Sequence, residues 1–308
     1  MKQTRRQILT QCGIAAFSPA ITPFLAAAEN KGEKHPIATN TYPWTTFARR
    51  DKHDLKLHSD AFLSNIAATG IIGYEPIINS PRDFEGLGKR LKAHGLNMRS
   101  IYVNSVLHDA TRVDESIASV ISIAKEAKKL GTKIVVTNPS PIRWAGPEDK
   151  TDSQLRLQAR SLNKLGSNLK QLDVDLAYHN HDAELRNGGR EFHHMLTSTD
   201  PENVKFCLDA HWIYRGCGNS EVAVFNTLAL YHHRIVELHL RQSASGVWSE
   251  TFKLKGDINY SRLFDYLADK SISPHLVLEQ AVEEGSPKSL SAVDAHRQSQ
   301  LNVQKAFS

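Results

Sequence analysis

Four residues of metal-binding type stand where short apolar runs give out into polar sequence: His179, Asp209, His239 and Glu279. Their runs, 175–181, 204–209, 235–240 and 275–279, read as buried strands reaching their carboxyl ends. Two imidazoles and two carboxylates balance the charge of a divalent ion, and mixed N and O donors suit Mn, Co, Zn, Fe or Mg. Such an ion, with open coordination positions, polarises a carbonyl and holds the neighbouring hydroxyl. The C–H between them becomes acidic and the enediolate that follows is stabilised. In Tyr178-His179-Asn180-His181, period-2 alternation sets His181 on the face of His179, where it either supports that ligand or meets substrate. Glu184 is open in the same way, between a support for the site and a solvated loop carboxylate. Glu75, closing the second strand within Gly73-Tyr74-Glu75-Pro76, is expected across the same mouth as a candidate acid or base. Lys205 shares the face of Asp209, and Glu237 that of His239. Both are read as structural charges that could pair across adjacent strands, since charges inside a barrel need partners.

Residues so far apart in sequence need a fold that brings strand ends together. From residue 36 onward, strand-like runs at 37–40, 71–77, 98–103 and 133–137 precede the four above. Helical patterns near 54–68, 82–94, 113–130, 152–172, 189–197, 220–232, 260–269 and 288–304 alternate with them. Unbroken alternation implies parallel βα units, and eight of them predict an α/β fold, a (β/α)₈ TIM barrel over 36–308, in which all strand carboxyl ends share one mouth. An open doubly wound sheet usually carries a Gly-rich turn after its first strand. None follows 37–40, and Gly216-Cys217-Gly218 lacks the third glycine. Two long connections, 138–150 and 242–255, bring Arg143, Trp144, Trp248 and Phe252 towards that mouth, where aromatic and basic side chains suit a sugar unless the loops merely cover the barrel. Competing chemistries find no support: there is no Gly-x-Ser-x-Gly, His-Glu-x-x-His or Cys-x-x-Cys. His193-His194 and His232-His233 fall on helical patterns and are expected to be exposed.

The amino terminus stands apart. Thr4-Arg5-Arg6-Gln7-Ile8-Leu9 is a twin-arginine pattern, followed by an apolar run that ends in Ala26-Ala27-Ala28. Residues 1–28 read as an export signal and 29–35 as a linker, which implies the twin-arginine export machinery as a partner and a periplasmic or otherwise exported protein. Ser18, Pro19, Thr22 and Pro23 interrupt the run, which falls short of the roughly 20 residues that a membrane span needs. The formal charge falls from +5 to +2 once Lys2, Arg5 and Arg6 are removed, so the basic balance gives no support to nucleic-acid binding. Three cysteines are too few for a disulfide scaffold. A Cys207–Cys217 bridge is conceivable, although a thiol inside a strand usually just packs.

The order and spacing of Ala177-Tyr178-His179-Asn180-His181-Asp182-Ala183-Glu184, Leu208-Asp209-Ala210-His211-Trp212 with Gly216, Val236-Glu237-Leu238-His239-Leu240-Arg241, Gly256-Asp257-Ile258-Asn259-Tyr260 and Val277-Leu278-Glu279-Gln280 resemble the sugar phosphate isomerase/epimerase group of xylose-isomerase-like barrels. That superfamily includes inosose dehydratases, hydroxypyruvate isomerases and ketose 3-epimerases. The resemblance covers about residues 36–305 and implies a TIM barrel, one divalent metal and proton transfer beside a sugar carbonyl.

Three departures bear on the reaction. The epimerases carry a glutamate on the fifth strand, which acts with the eighth-strand glutamate from the other side of the substrate; here His179 stands in its place. The usual Lys-Asp after the seventh-strand His is Arg241-Gln242, and Asp209-x-x-Trp212 replaces Asp-x-x-His, removing an imidazole unless His211 substitutes for it. On the strand-end reading His179, Asp209, His239 and Glu279 hold the metal. Glu279 doubles as base, with Glu75 and His181 as further acid/base candidates. Arg241 steadies an oxyanion, and Trp212, His211 and Trp144 touch a small-molecule carbohydrate. The outcome expected is isomerisation or epimerisation, with elimination or hydration on a 3-keto-glycoside or inosose as the alternative. A non-enzymatic carbohydrate-binding barrel is the contrasting class.

Overall fold

The computed structural model describes residues 36–306, so the export signal and linker expected over 1–35 lie outside the described residues. Eight strands form one parallel sheet: β1 (Ile37–Asn40), β2 (Gly73–Glu75), β3 (Ser100–Tyr102), β4 (Ile134–Thr137), β5 (Asp175–His179), β6 (Val204–Asp209), β7 (Ile235–Leu240) and β8 (His275–Leu278). Their order, β2-β1-β8-β7-β6-β5-β4-β3, is that of a barrel opened out between β2 and β3. That seam is closed irregularly, by parallel bridges of Gly73 with Asn97 and Ile77 with Tyr102. Main-chain bonds of 2.9 Å run across it from Tyr74 N–H to the Asn97 carbonyl and from Tyr102 N–H to the Pro76 carbonyl. Pro76 has no N–H to give, which accounts for a second strand that ends at Glu75 rather than running on to 77.

The strands bury both faces, as sheet enclosed by helices must. Outside lies the main apolar core, and inside lies a smaller cluster of Tyr102, Ile134, Val136, Ala177 and Cys207. The expected helices are found, among them Val113–Lys129, Asp152–Lys170 and Tyr260–Asp269. Two more, Thr41–Asp51 and Ala210–Gly216, start directly at strand ends. In both cases the last strand residue is the N-cap: Asn40 accepts from Tyr42 N–H at 2.7 Å, and Asp209 from His211 and Trp212 N–H at 2.9 Å each.

Other expectations change. Lys205 pairs with Glu202 at 3.7 Å instead of Glu237. Phe252 packs into the outer core against Tyr260 rather than lining the mouth. Within the connection after β7, Ser243–Ala244 pairs with Val247–Trp248 as a small antiparallel hairpin. Of the paired histidines only His233 is exposed; His193, His194 and His232 are half-buried. Cys207 and Cys217 are both free.

Candidate metal centre

His179, Asp209, His239 and Glu279 converge. One ligand atom from each lies within 4.8 Å of the others. Strand register sets this up: Asp209 pairs with His239, and His239 with Val277, two residues before Glu279. His179 Nε2 lies 4.0 Å from Asp209 Oδ2, and His239 Nδ1 lies 3.2 Å from Glu279 Oε2. Both ring nitrogens of His179 and Asp209 Oδ2 are buried with no hydrogen-bond partner among the described residues. Unpaired buried groups of this kind each cost about 1–3 kcal/mol or more, and a cation among them removes that cost. The donor set therefore fits a divalent ion of borderline character.

Burial, together with neighbouring His239 and His181, holds His179 well below the usual imidazole range, so the ring is neutral and one of its nitrogens carries a free lone pair. Burial raises Asp209 to about 7 against the pull of Arg241. For Glu279 burial is outweighed by His239 and Arg241, and the carboxyl stays ionised. Arg241 spans the two carboxylates, with Nη2 2.7 Å from Glu279 Oε2 and 3.6 Å from Asp209 Oδ2. Its guanidinium lies over Trp248 at 4.5 Å and Trp212 at 4.9 Å, and its Nη1 is buried without a partner among the described residues.

Glu75 is not across the mouth, where the sequence expectation put it. It lies behind His239, with Oε1 3.1 Å from His239 Nε2, and it is tied by Asn40 Nδ2 at 2.5 Å and Ser100 Oγ at 2.7 Å. Alternation gives the face of a strand but not the height in the barrel, and β2 ends low. Glu237 stands beside it, 3.2 Å from the same Nε2. Burial and the Glu75 carboxylate push Glu237 up to about 8, which makes it the protonated member of the pair. The burial of Glu75 is outweighed by His239 and by the bonds it accepts, and that carboxyl is held down at about 2. With Nε2 engaged below, His239 turns Nδ1 to the site, the arrangement by which a supporting carboxylate orients a metal-ligating imidazole.

His181 does reach the mouth. Its half-buried ring stands 4.7 Å from that of His179, 5.2 Å from Trp144 and 5.6 Å from Trp212, and burial lowers it to about 4. Glu184 proves to be buried: it accepts from His181 N–H at 2.6 Å and from Asn138 Nδ2 at 3.2 Å, fixing the turn that presents His181. A Cβ at Gly216 would come 2.7 Å from that of Leu185, so glycine lets the Trp212 helix close against this turn. His211 turns away from the centre, its Nε2 2.9 Å from Ser243 Oγ, because the Asp209 cap starts a helix that rotates it outward. Sequence reasoning missed Tyr102, whose ring stands 5.5 Å from that of His179. Alternation on β3 was the signal that could have found it.

Residues 63–299 match the family model for the Xylose isomerase-like TIM barrel. The inosose dehydratase of Clostridium perfringens is 24% identical over 245 residues, covering 70% of this chain and 80% of that enzyme. Among solved structures, a sugar phosphate isomerase/epimerase from Parabacteroides distasonis superposes with a TM-score of 0.67 at 17% identity, covering 90% of this chain and 96% of that one. The 3-keto-D-glucoside 4-epimerase of E. coli gives 0.65 at 14%, covering 88% and 99%. These two likenesses concern the fold. With most of its barrel matched by the family model, the chain belongs to the xylose isomerase-like TIM barrel family.

Proposed function

We propose that this barrel is a divalent-metal-dependent carbohydrate enzyme that takes a proton from the carbon beside a sugar carbonyl. The observation that carries the reading is the convergence of His179, Asp209, His239 and Glu279 with the His179 ring and Asp209 Oδ2 buried and unpaired among the described residues. These four residues would hold the ion, which when bound supplies a Lewis acid for the carbonyl oxygen. The other groups act through the chain itself. Arg241 offers its unpartnered Nη1 to negative charge developing on a substrate oxygen. Glu279 has Oε2 tied by His239 and Arg241, which leaves Oε1 to accept a proton from the eighth-strand side. His181, with an unpartnered Nδ1, serves the fifth-strand side. Glu75 does not touch substrate; it positions His239.

A second reading within the same site is favoured by the fifth strand. Its mouth-facing residues are imidazoles, so the two sides of the substrate meet unlike groups. Such a site suits a lyase or dehydratase: Glu279 takes the C–H proton, the C–O bond at the next carbon breaks, and that same proton passes to the departing oxygen, which leaves as water or an alcohol. Similarity to inosose dehydratases supports this outcome, with an inosose or a 3-keto-glycoside as substrate. The isomerase or epimerase outcome needs the same first step and returns the proton instead. Export through the twin-arginine pathway belongs to the proposal and rests on residues 1–28 alone.

The test is metal content by mass spectrometry, with His239→Ala and Asp209→Ala beside the unaltered protein, followed by solvent deuterium exchange into candidate keto-sugars. About one ion per chain, lost in both variants, with metal-dependent exchange, is the expected result. Sugar binding that survives chelation without exchange would instead assign a non-enzymatic binding barrel.

A further inference from the structure

The connection 138–150 holds an exposed indole over the mouth and is braced to keep it there. Trp144 is 52% exposed and Ile142 43%. The rest of the loop is tied down. At its base, buried Lys150 Nζ donates to the Pro139 carbonyl at 3.0 Å and pairs with Glu191 at 2.6 Å. In its second half, Arg186 donates to the carbonyls of Gly146 (3.0 Å) and Glu148 (3.1 Å) and to Asp149 Oδ1 (2.8 Å). Asn187 adds a 2.5 Å bond to Asp149 Oδ2 from a left-handed backbone, φ 54°, that asparagine tolerates better than most residues. Pro139, Pro141 and Pro147 restrict the chain further. Ordering of this kind lowers the entropy lost when a ligand settles on the loop.

The indole continues a path that leads out of the metal centre. From His179 the next ring is His181 at 4.7 Å, and from His181 the next outward is Trp144 at 5.2 Å, nearly perpendicular to it. A sugar ring seated at the four candidate ligands would lie beside His181, and a substituent projecting outward from it would meet Trp144. Inside, the mouth offers Arg241 and ligand oxygens to hydroxyls; outside, this loop offers an apolar face.

We propose that Trp144 is the binding platform for the second ring of a glycoside, so that the substrate class is a sugar carrying an aglycone or further sugar rather than a free monosaccharide. This rests on the carbohydrate reading above. The test is calorimetric titration of metal-loaded full-length protein with methyl and phenyl D-glucopyranosides of both anomeric forms. One phenyl glycoside is expected to bind about tenfold tighter than its methyl counterpart, a difference that hydrophobic contact with one indole readily supplies. Trp144→Ala brings the ratio close to one. Trp144→Phe retains most of the preference. Arg186→Ala, which keeps the indole but unpins its loop, lowers the preference by a smaller factor. Methyl glycoside binding with no phenyl preference, or a preference that survives Trp144→Ala, would overturn the platform alone. Failure of every glycoside to bind would also overturn the platform, whereas the carbohydrate reading stands or falls separately on the keto-sugar exchange described above.

Discussion

Below the four ligands lies a floor, and beyond them a rim, and the two are built by different means. In the floor, Asn40, Glu75, Cys207 and Glu237 are all wholly buried, and Ser100 nearly so, and contacts of 2.5–3.2 Å tie Glu75 and Glu237 to Asn40, Ser100 and His239. On the rim, Trp144 is half exposed and its loop is held through main-chain carbonyls. The floor decides which nitrogen of His239 faces His179, Asp209 and Glu279, and an error of one bond there changes what the centre can bind. The rim only has to hold an apolar face at a given height. Substitutions should therefore act on metal binding and stability in the floor and on ligand preference at the rim.

The largest effect is expected where the two regions meet, at Arg241. Its buried guanidinium lies between Asp209 and Glu279, so Arg241→Met leaves two carboxylates without their cation. Breaking a buried pair in this way costs about 3–5 kcal/mol, and urea unfolding of metal-free protein should show it. A loss below about 1 kcal/mol would mean that Arg241 belongs to the tolerant rim.

Burial away from the site provides the control. His296 is stacked on Trp44 at 4.1 Å, and burial lowers it to about 4, against an upward pull from its bond to the Ala292 carbonyl. Between its ordinary 6.5 and about 4 the unfolded chain binds the extra proton. Stability is therefore full above pH 6.5, falls as the pH drops towards 4, and is flat below, a change on the order of 3 kcal/mol by linkage. His296→Phe should make that part of the stability–pH curve shallower; an unchanged curve would assign the slope to the other buried imidazoles, His179, His181 and His211.

Within the floor the two carboxylates should differ. Glu75→Gln removes the ionised partner of His239 Nε2 and should weaken zinc or cobalt binding by about 10–100-fold, with a shift in the visible spectrum of bound cobalt. Glu237→Gln, which resembles the protonated form already present, should cost less. The opposite order would exchange their roles.

The convergence of His179, Asp209, His239 and Glu279 was legible because each is a strand-end residue, and alternation with a shared barrel mouth fixes where such residues point. Height was not legible. Glu75 follows the same pattern as His239 yet its carboxylate meets the Nε2 side of that ring, beside Glu237, instead of the mouth. Asn40 and Asp209 also hid two helices, because a strand end that is its own N-cap leaves no polar gap in the sequence. His211 was misplaced by that same hidden turn. Glu184 stayed open between support and solvent because burial of a loop carboxylate depends on Asn138, a residue 46 positions away.

The smallest expected effect is the one that separates rim from floor most cleanly. Trp144 is 52% exposed, and its ring contact is edge-on with His181. Trp144→Ala should therefore change the unfolding free energy by no more than about 0.5 kcal/mol, as surface substitutions do. Urea unfolding with the slope held in common would measure it. A loss of more than about 1.5 kcal/mol would show an indole packed for stability rather than presented to a ligand, since that size of change comes from core contacts. The rim would then be a second piece of the floor, and a change in glycoside preference at Trp144 would have to be ascribed to a collapsed loop.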